Sequence, residues 1–259
     1  MRICLLASGS RGNALYIETA ESRILIDAGL SARELTARLA GIGVAAEDLD
    51  ALLVTHEHTD HCQGIGPLSR RYQLPVYLHH QTRAALPKLG RIPELHEFAS
   101  GDVIELRDLR ITTFPITHDA VAPVGFAIET AEGKIGVATD LGIATRLVYE
   151  RLQDCRVLVL ESNHDEEMLR DGPYPWPLKQ RIRSQHGHLS NSASAELLSG
   201  LVSAKLEALF LAHLSEQNNL PELARQEART VLERQHVCAP QLFIGCQEQA
   251  TVCFDTFCS

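Results

Sequence analysis

Apolar residues along the chain fall into short runs punctuated by turn residues, and the first half is rich in strand-like segments. Residues 3–7 and 14–17 are apolar stretches divided by a Gly/Ser/Asn turn, and Ile24-Leu25-Ile26 follows and ends at Asp27. Ser31 opens a helix: Glu34 completes a capping box three residues on, Leu35, Leu39 and Ile42 share one face, and Gly41 and Gly43 close it. Leu52-Leu53-Val54 reads as a buried strand that delivers His56. Beyond it the pattern predicts helices over 65–72 and 82–89 around a strand at 76–78, then strands at 103–106, 109–114, 124–128 and 135–138. The second half alternates. It predicts a helix at 144–152, a strand at 157–160, an irregular Pro-rich stretch at 172–177, a helix at 192–201, a strand at 208–211, a helix at 222–234, and closing strands at 242–244 and 251–254. Two strand-rich blocks with attached helices predict an α/β fold in which two sheets pack face to face with helices outside. One domain with halves of roughly 1–140 and 141–259 is the expected organisation.

Composition narrows the class. No apolar run reaches the ~18 residues needed to cross a bilayer, and the opening Met1 to Leu6 runs straight into Ala7-Ser8-Gly9-Ser10, too brief for a signal peptide. The seven cysteines include no CxxC pair, which fits reduced thiols in a cytoplasmic protein. Cys238, Cys246, Cys253 and Cys258 cluster near the end of the sequence, but their spacing matches no familiar zinc module, so they read as core or strand residues. The net charge of −9 argues against broad adhesion to nucleic acid. It leaves a nucleic-acid substrate open, because two bound dications would offset about four charges where a phosphate needs it.

The chemistry is concentrated in Thr55-His56-Glu57-His58-Thr59-Asp60-His61. Residues two apart on an extended segment share a face, so His56 and His58 can grip one cation; if a helix follows, Asp60 and His61 can face a second. Four ligands are too few for two metals, and further candidates stand at later strand ends. Ile116-Thr117-His118, Ala138-Thr139-Asp140 and Leu211-Ala212-His213 each place a ligand-type residue just past an apolar run.

In this order (an early strand-end Asp27, then His56-x-His58-x-Asp60-His61, His118, Asp140 and His213) the sequence closely resembles the metallo-β-lactamase superfamily. The resemblance implies a four-layer αββα sandwich holding two divalent metal ions, zinc or manganese foremost and iron or nickel as alternatives. It implies His56, His58 and His118 on one metal, Asp60, His61 and His213 on the other, and Asp140 bridging. Asp27 is either an outer residue orienting the histidine loop or a cap on the turn before Ala28-Gly29. His58 in place of Glu separates the chain from the di-iron oxygen-reducing members, which favours hydrolysis.

Flanking motifs narrow the resemblance to the YycJ/WalJ branch, regarded as DNA exonucleases related to ribonucleases J and Z. These are Ser8-Gly9-Ser10-Arg11-Gly12-Asn13, Glu161-Ser162-Asn163-His164-Asp165, Tyr174-Pro175 to Ile182, and Gly187-His188-Leu189-Ser190-Asn191. Only the residues 141–187 separate Asp140 from His188, too few for a full β-CASP insertion. The implied function is phosphodiester hydrolysis by a hydroxide shared between two metals, with Asp60 and His188 as catalytic groups. Lys179, Arg181, Arg183 and His186 form a local basic patch ahead of the Ser192 helix, whose N-terminus favours an anion. Lys179, Arg181 and His188 are therefore expected to contact substrate phosphate. Asn13 either joins them or serves its turn, and His164 is either an outer-shell residue or a surface one. Nucleic acid is the expected partner, no membrane is expected, and a homodimer is compatible with the sequence. The competing readings are a thioester or lactam hydrolase of the same fold and a non-catalytic metal-binding sensor.

Overall fold

The computed structural model describes residues 1–257, so Cys258 lies outside the described residues. The chain forms two compact units: 1–113 with 120–124 and the segment from Cys246 onward, and 114–119 with 125–245. The boundary falls within a strand near Thr113 rather than near residue 140, and the last segment returns to the first unit.

In the first unit the strands are β1 (Arg2–Ala7), β2 (Ala14–Glu18) and β3 (Arg23–Ile26), then α1 (Ala32–Gly41) and β4 (Ala51–Leu53). There follow α2 (Thr59–Cys62), α3 (Ile65–Tyr72), β5 (Val76–His79), α4 (His80–Ala85), β6 (Leu95–Phe98) and β7 (Val103–Leu106). β8 (Leu109–Pro115) and β9 (Val124–Thr130) carry the chain into the second unit. That unit continues with β10 (Gly133–Ala138), α5 (Arg146–Leu152), β11 (Val157–Glu161), α6 (Glu166–Asp171), α7 (Trp176–Ile182), α8 (Asn191–Leu201), β12 (Ala208–Ala212), α9 (Pro221–Gln235) and β13 (Gln241–Ile244). Finally β14 (Phe254–Asp255) pairs antiparallel with β1. The strand expected over 251–254 thus shrinks to the end of that stretch.

The sheet orders are β14-β1-β2-β3-β4-β5-β6 and β13-β12-β11-β10-β9-β8-β7. Both contain a parallel portion, β3 to β6 in one and β10 to β13 in the other. Parallel strands carry side chains to both faces of a covered sheet, which is why these runs are apolar without alternation. Leu35 and Leu39 of α1 and Ile65 and Leu68 of α3 pack with Leu52, Val54, Val76 and Leu78 under the first sheet. Leu197, Leu198 and Leu201 of α8 pack with Leu158, Leu160, Leu209 and Leu211 on the second. α1 begins as its capping box requires, with the Ser31 side chain accepting from Glu34 N–H.

Further elements depart from the sequence pattern. α4 stops at Ala85 because Pro87 cannot continue it. β6 is a further strand, too polar (Leu-His-Glu-Phe) to show as an apolar run. The stretch expected to be irregular contains the start of α7, preceded by α6 with Asp165 as its N-cap. Among the described residues no helix is long and apolar enough to cross a membrane.

Candidate active site

Most of the candidate residues follow the carboxyl ends of strands, where strands stop and loops begin; His118 follows β8, which pairs antiparallel with β7, and Asp60 and His61 lie in α2. Asp27 follows β3, and Asp140 and His213 follow β10 and β12. All three adopt left-handed backbone angles (φ 63°, 57° and 57°). Asp and His tolerate that region better than most residues, and the reversal turns the chain sharply as each strand ends.

In the first unit a buried relay fixes the histidine segment. The Asp27 carboxylate accepts from Thr55 N at 2.8 Å, Thr55 Oγ1 at 2.8 Å and His61 Nδ1 at 2.7 Å. Since Thr55 spends its hydroxyl proton on Asp27, its oxygen accepts from His56 Nδ1, 2.9 Å away. Both imidazoles are thereby held with the proton on Nδ1 and the lone pair on Nε2. Asn13 agrees with that assignment. Its side-chain oxygen accepts from Gly9 N at 2.9 Å, so its amide nitrogen is the atom 3.1 Å from His61 Nε2. That nitrogen also lies 3.4 Å from Asp60 Oδ2. His58, the residue capping α2, packs its ring edge-on to His56 with centroids 4.6 Å apart. Cys62 is sealed beneath, its thiol donating to the His56 carbonyl at 2.9 Å and its pKa pushed up by burial.

In the second unit the hub is Glu161, a residue the sequence reading left outside the site. It is fully buried at the end of β11. Oε1 accepts from His188 Nδ1 at 2.8 Å and His213 Nδ1 at 2.9 Å, while Oε2 accepts from Leu141 N and Leu189 N, each at 2.9 Å. Burial alone would raise its pKa. The charge and hydrogen bonds of His188, with that of His213, prevail and hold it at about 2. Asp140 Oδ1 lies 3.3 Å from His213 Nδ1 and 3.7 Å from His188 Nδ1. Asp140, Glu161, His188 and His213 offer ligand-type atoms all within 4.8 Å of one another. His118 donates from Nδ1 to the Gly187 carbonyl at 3.1 Å, and burial pushes its pKa down.

The same rule therefore governs His56, His61, His118 and His213. Each gives its Nδ1 proton to a protein oxygen, leaving Nε2 as the donor atom a divalent cation takes. This donor set of imidazole nitrogen and carboxylate oxygen fits zinc, manganese and related ions.

The expected phosphate contacts fare differently. Lys179 is 8% exposed, and its ammonium donates to the carbonyls of Arg170 and Gly172, both at 2.7 Å. It ties α6 to α7 and is not a substrate contact. Arg181 is exposed and paired with Asp119, the neighbour of His118. The N-terminus of α8 is capped by Ser190, whose oxygen accepts from Ala193 N. The Glu166 carboxylate already stands on the Ser190 and Ser192 hydroxyls at 3.1 and 2.8 Å, so the anion expected there is the protein's own. His164 is neither exposed nor hydrogen-bonded through Nδ1; it is 2% exposed, and burial lowers its pKa to about 4. The six described cysteines are free thiols, and none belongs to a group able to hold a metal.

A domain model described as "Beta-lactamase superfamily domain" matches residues 22–214. The chain is 39% identical over 236 residues to the exodeoxyribonuclease YycJ of Bacillus anthracis, covering 90% of this chain and 89% of that one. It is 40% identical over 225 residues to the exodeoxyribonuclease WalJ of Streptococcus pneumoniae, covering 85% and 84%. Among solved structures, the metallo-beta-lactamase fold protein YhfI from Bacillus subtilis superposes with a TM-score of 0.73 at 19% identity, over 96% of this chain and 98% of that one.

Proposed function

Because the chain belongs to the beta-lactamase superfamily, whose αββα fold it shares, we propose that it is a metal-dependent phosphodiester hydrolase that degrades DNA from an end. His56, His58 and His118 would hold one divalent cation and Asp60, His61 and His213 a second, with Asp140 shared, zinc or manganese being the favoured ions. When bound, such a pair supplies a water acidified towards neutrality and positive charge against the scissile phosphate.

The chain's own side chains supply the rest. Asp27, through Thr55, keeps His56 and His61 in the donor tautomer. Glu161 does the same for His213 and also grips His188 by Nδ1. With Nδ1 held by Glu161, His188 presents Nε2 as the atom that would pass a proton to the departing sugar oxygen. Asp60, whose Oδ2 lies 3.4 Å from the Asn13 amide nitrogen, would be the carboxylate that accepts a proton from water. Arg181 remains the candidate phosphate contact of the 179–186 segment.

The observation that carries the reading is the Asp27–Thr55 relay, which sets two buried rings as metal donors. The names of the two relatives near 40% identity direct it to DNA. The test is digestion of end-labelled single- and double-stranded DNA and RNA with manganese or zinc added. His61→Ala is expected to abolish activity with loss of metal. His188→Ala is expected to slow turnover by about 10²–10⁴-fold with metal retained. Equal activity in all three proteins, or turnover of a thioester but of no phosphodiester, would overturn the assignment.

A further inference from the structure

Charge is unevenly distributed along this acidic chain. It carries 33 Asp and Glu against 24 Lys and Arg, yet residues 61–93 contain Arg70, Arg71, Arg83, Lys88 and Arg91 and no Asp or Glu. The first unit folds this stretch into α3, β5, α4 and the turn that follows. Between the histidine segment, α3 and the 85–89 turn lies a groove of about 500 Å³ lined by, among others, Glu57, Thr59, Gln63, Arg70 and Lys88. Glu57 and Thr59 are the residues interleaved with His56, His58 and Asp60, so one end of the groove abuts the histidine segment itself.

The wall is stiff, it includes Arg70 and Lys88, and further cationic residues stand next to it in sequence. Arg70 Nη1 donates to the carbonyls of Leu89 and Arg91, both at 3.2 Å, and Arg83 Nη1 to that of Leu86 at 3.3 Å. These bonds fix the 86–91 turn while leaving both guanidinium charges in place. Lys88 and Arg91 are exposed, as is Arg71, whose guanidinium sits 5.2 Å above the Tyr72 ring. The one carboxylate among the lining residues, Glu57, is engaged by Val121 N at 2.6 Å. A polyanion approaching a protein of net charge −9 must dock where the local field is positive. The 179–186 segment offers less, since Lys179 is buried and Arg181 is paired with Asp119.

We propose that this groove binds the phosphodiester backbone of a nucleic-acid strand and leads it to the histidine segment. The proposal rests on the nuclease reading above and adds the path of the substrate. Its test is anisotropy of a labelled single-stranded DNA of about 20 nucleotides with phosphorothioate linkages, which keep the charge and resist hydrolysis, titrated with metal-loaded protein from about 50 to 200 mM salt. The groove variant is Arg71→Gln, Lys88→Gln, Arg91→Gln. The charge-matched control is Arg33→Gln, Arg146→Gln, Arg229→Gln, three arginines elsewhere on the surface.

Each phosphate neutralised on a single strand contributes about 0.7 to the slope of log K against log salt, so the groove variant should flatten that slope by about two and raise Kd roughly tenfold or more at the lowest salt. The control should keep the slope of the parent. Equal slopes in all three proteins, or equal flattening in both variants, would overturn the groove. Turnover of the unmodified strand, measured alongside, separates the two ideas. A parent that binds with a steep salt slope but cleaves no nucleic acid refutes the hydrolase reading alone. A parent that cleaves while the groove variant matches the control refutes the groove alone.

Discussion

At the scale of single residues, the candidate site is governed by where protons sit on imidazoles. Asp27 accepts three hydrogen bonds, one of them from His61 Nδ1, and reaches His56 through the Thr55 hydroxyl. Asp27→Asn isolates that role, because Asn is at home at a positive φ. An amide nitrogen in place of Oδ2 would set a donor against the His61 Nδ1 proton and the Thr55 hydroxyl. Metal affinity should then fall about 10–100-fold while the metal-free protein melts close to the parent, as read by competition with a chelating dye and by thermal denaturation. Unchanged affinity would mean that the relay does not set the tautomers.

The residue scale is also where the sequence was most and least legible. His56, His58, Asp60 and His61 stand out because four ligand-type residues crowd into six positions. Glu161 gave no such signal. A carboxylate ending Val-Leu-Val-Leu-Glu resembles an ordinary strand cap, and only the parallel register, which pairs it with Ala212 beside His213, reveals it as the hub of the second unit. Lys179 misled for the opposite reason. A lysine among arginines reads as solvated charge, whereas the carbonyls at the end of α6 draw it inward.

At the scale of elements, the apolar runs predicted the strands that end before Asp27, His56, Asp140 and His213, because a buried parallel strand needs an uninterrupted apolar stretch and must end in a polar loop. Short polar helices escaped detection. α6 and α7 have six and seven residues, too few for a period to emerge, and prolines crowd the start of the second. What holds the histidine segment against its neighbours is backbone contact. Ala28 N donates to His61 O and Asn13 N to Asp60 O, both at 2.8 Å, and a Cβ placed on Gly29 would stand 1.6 Å from the Asp60 carbonyl oxygen. Gly29→Ala must therefore push the ligand segment away from the loop after β3. We expect a loss of about 1–3 kcal/mol or more, which is a drop of roughly 2–4 °C in Tm per kcal/mol for a chain of this size. Metal affinity should weaken with it. An unchanged Tm with unchanged metal binding would show that the segment relaxes freely, contrary to its hydrogen bonding.

For the whole molecule, net charge and metal content are coupled. Two divalent cations would offset about four of the nine excess negative charges, and carboxylates stand beside buried histidines in each unit, Asp60 in the first and Asp140 and Glu161 in the second. A ligand that binds only the folded chain stabilises it by about 2.7 kcal/mol when its free concentration is a hundredfold above Kd. Two such ions would add about 5 kcal/mol, or roughly 10–20 °C in Tm. Chelation should thus lower the melting temperature markedly, and added zinc or manganese should restore it. The shift should be smaller in Asp27→Asn than in the parent, because the weaker site is less occupied at the same free metal. Melting that ignores chelator in both proteins would remove the metals from the stability of the fold.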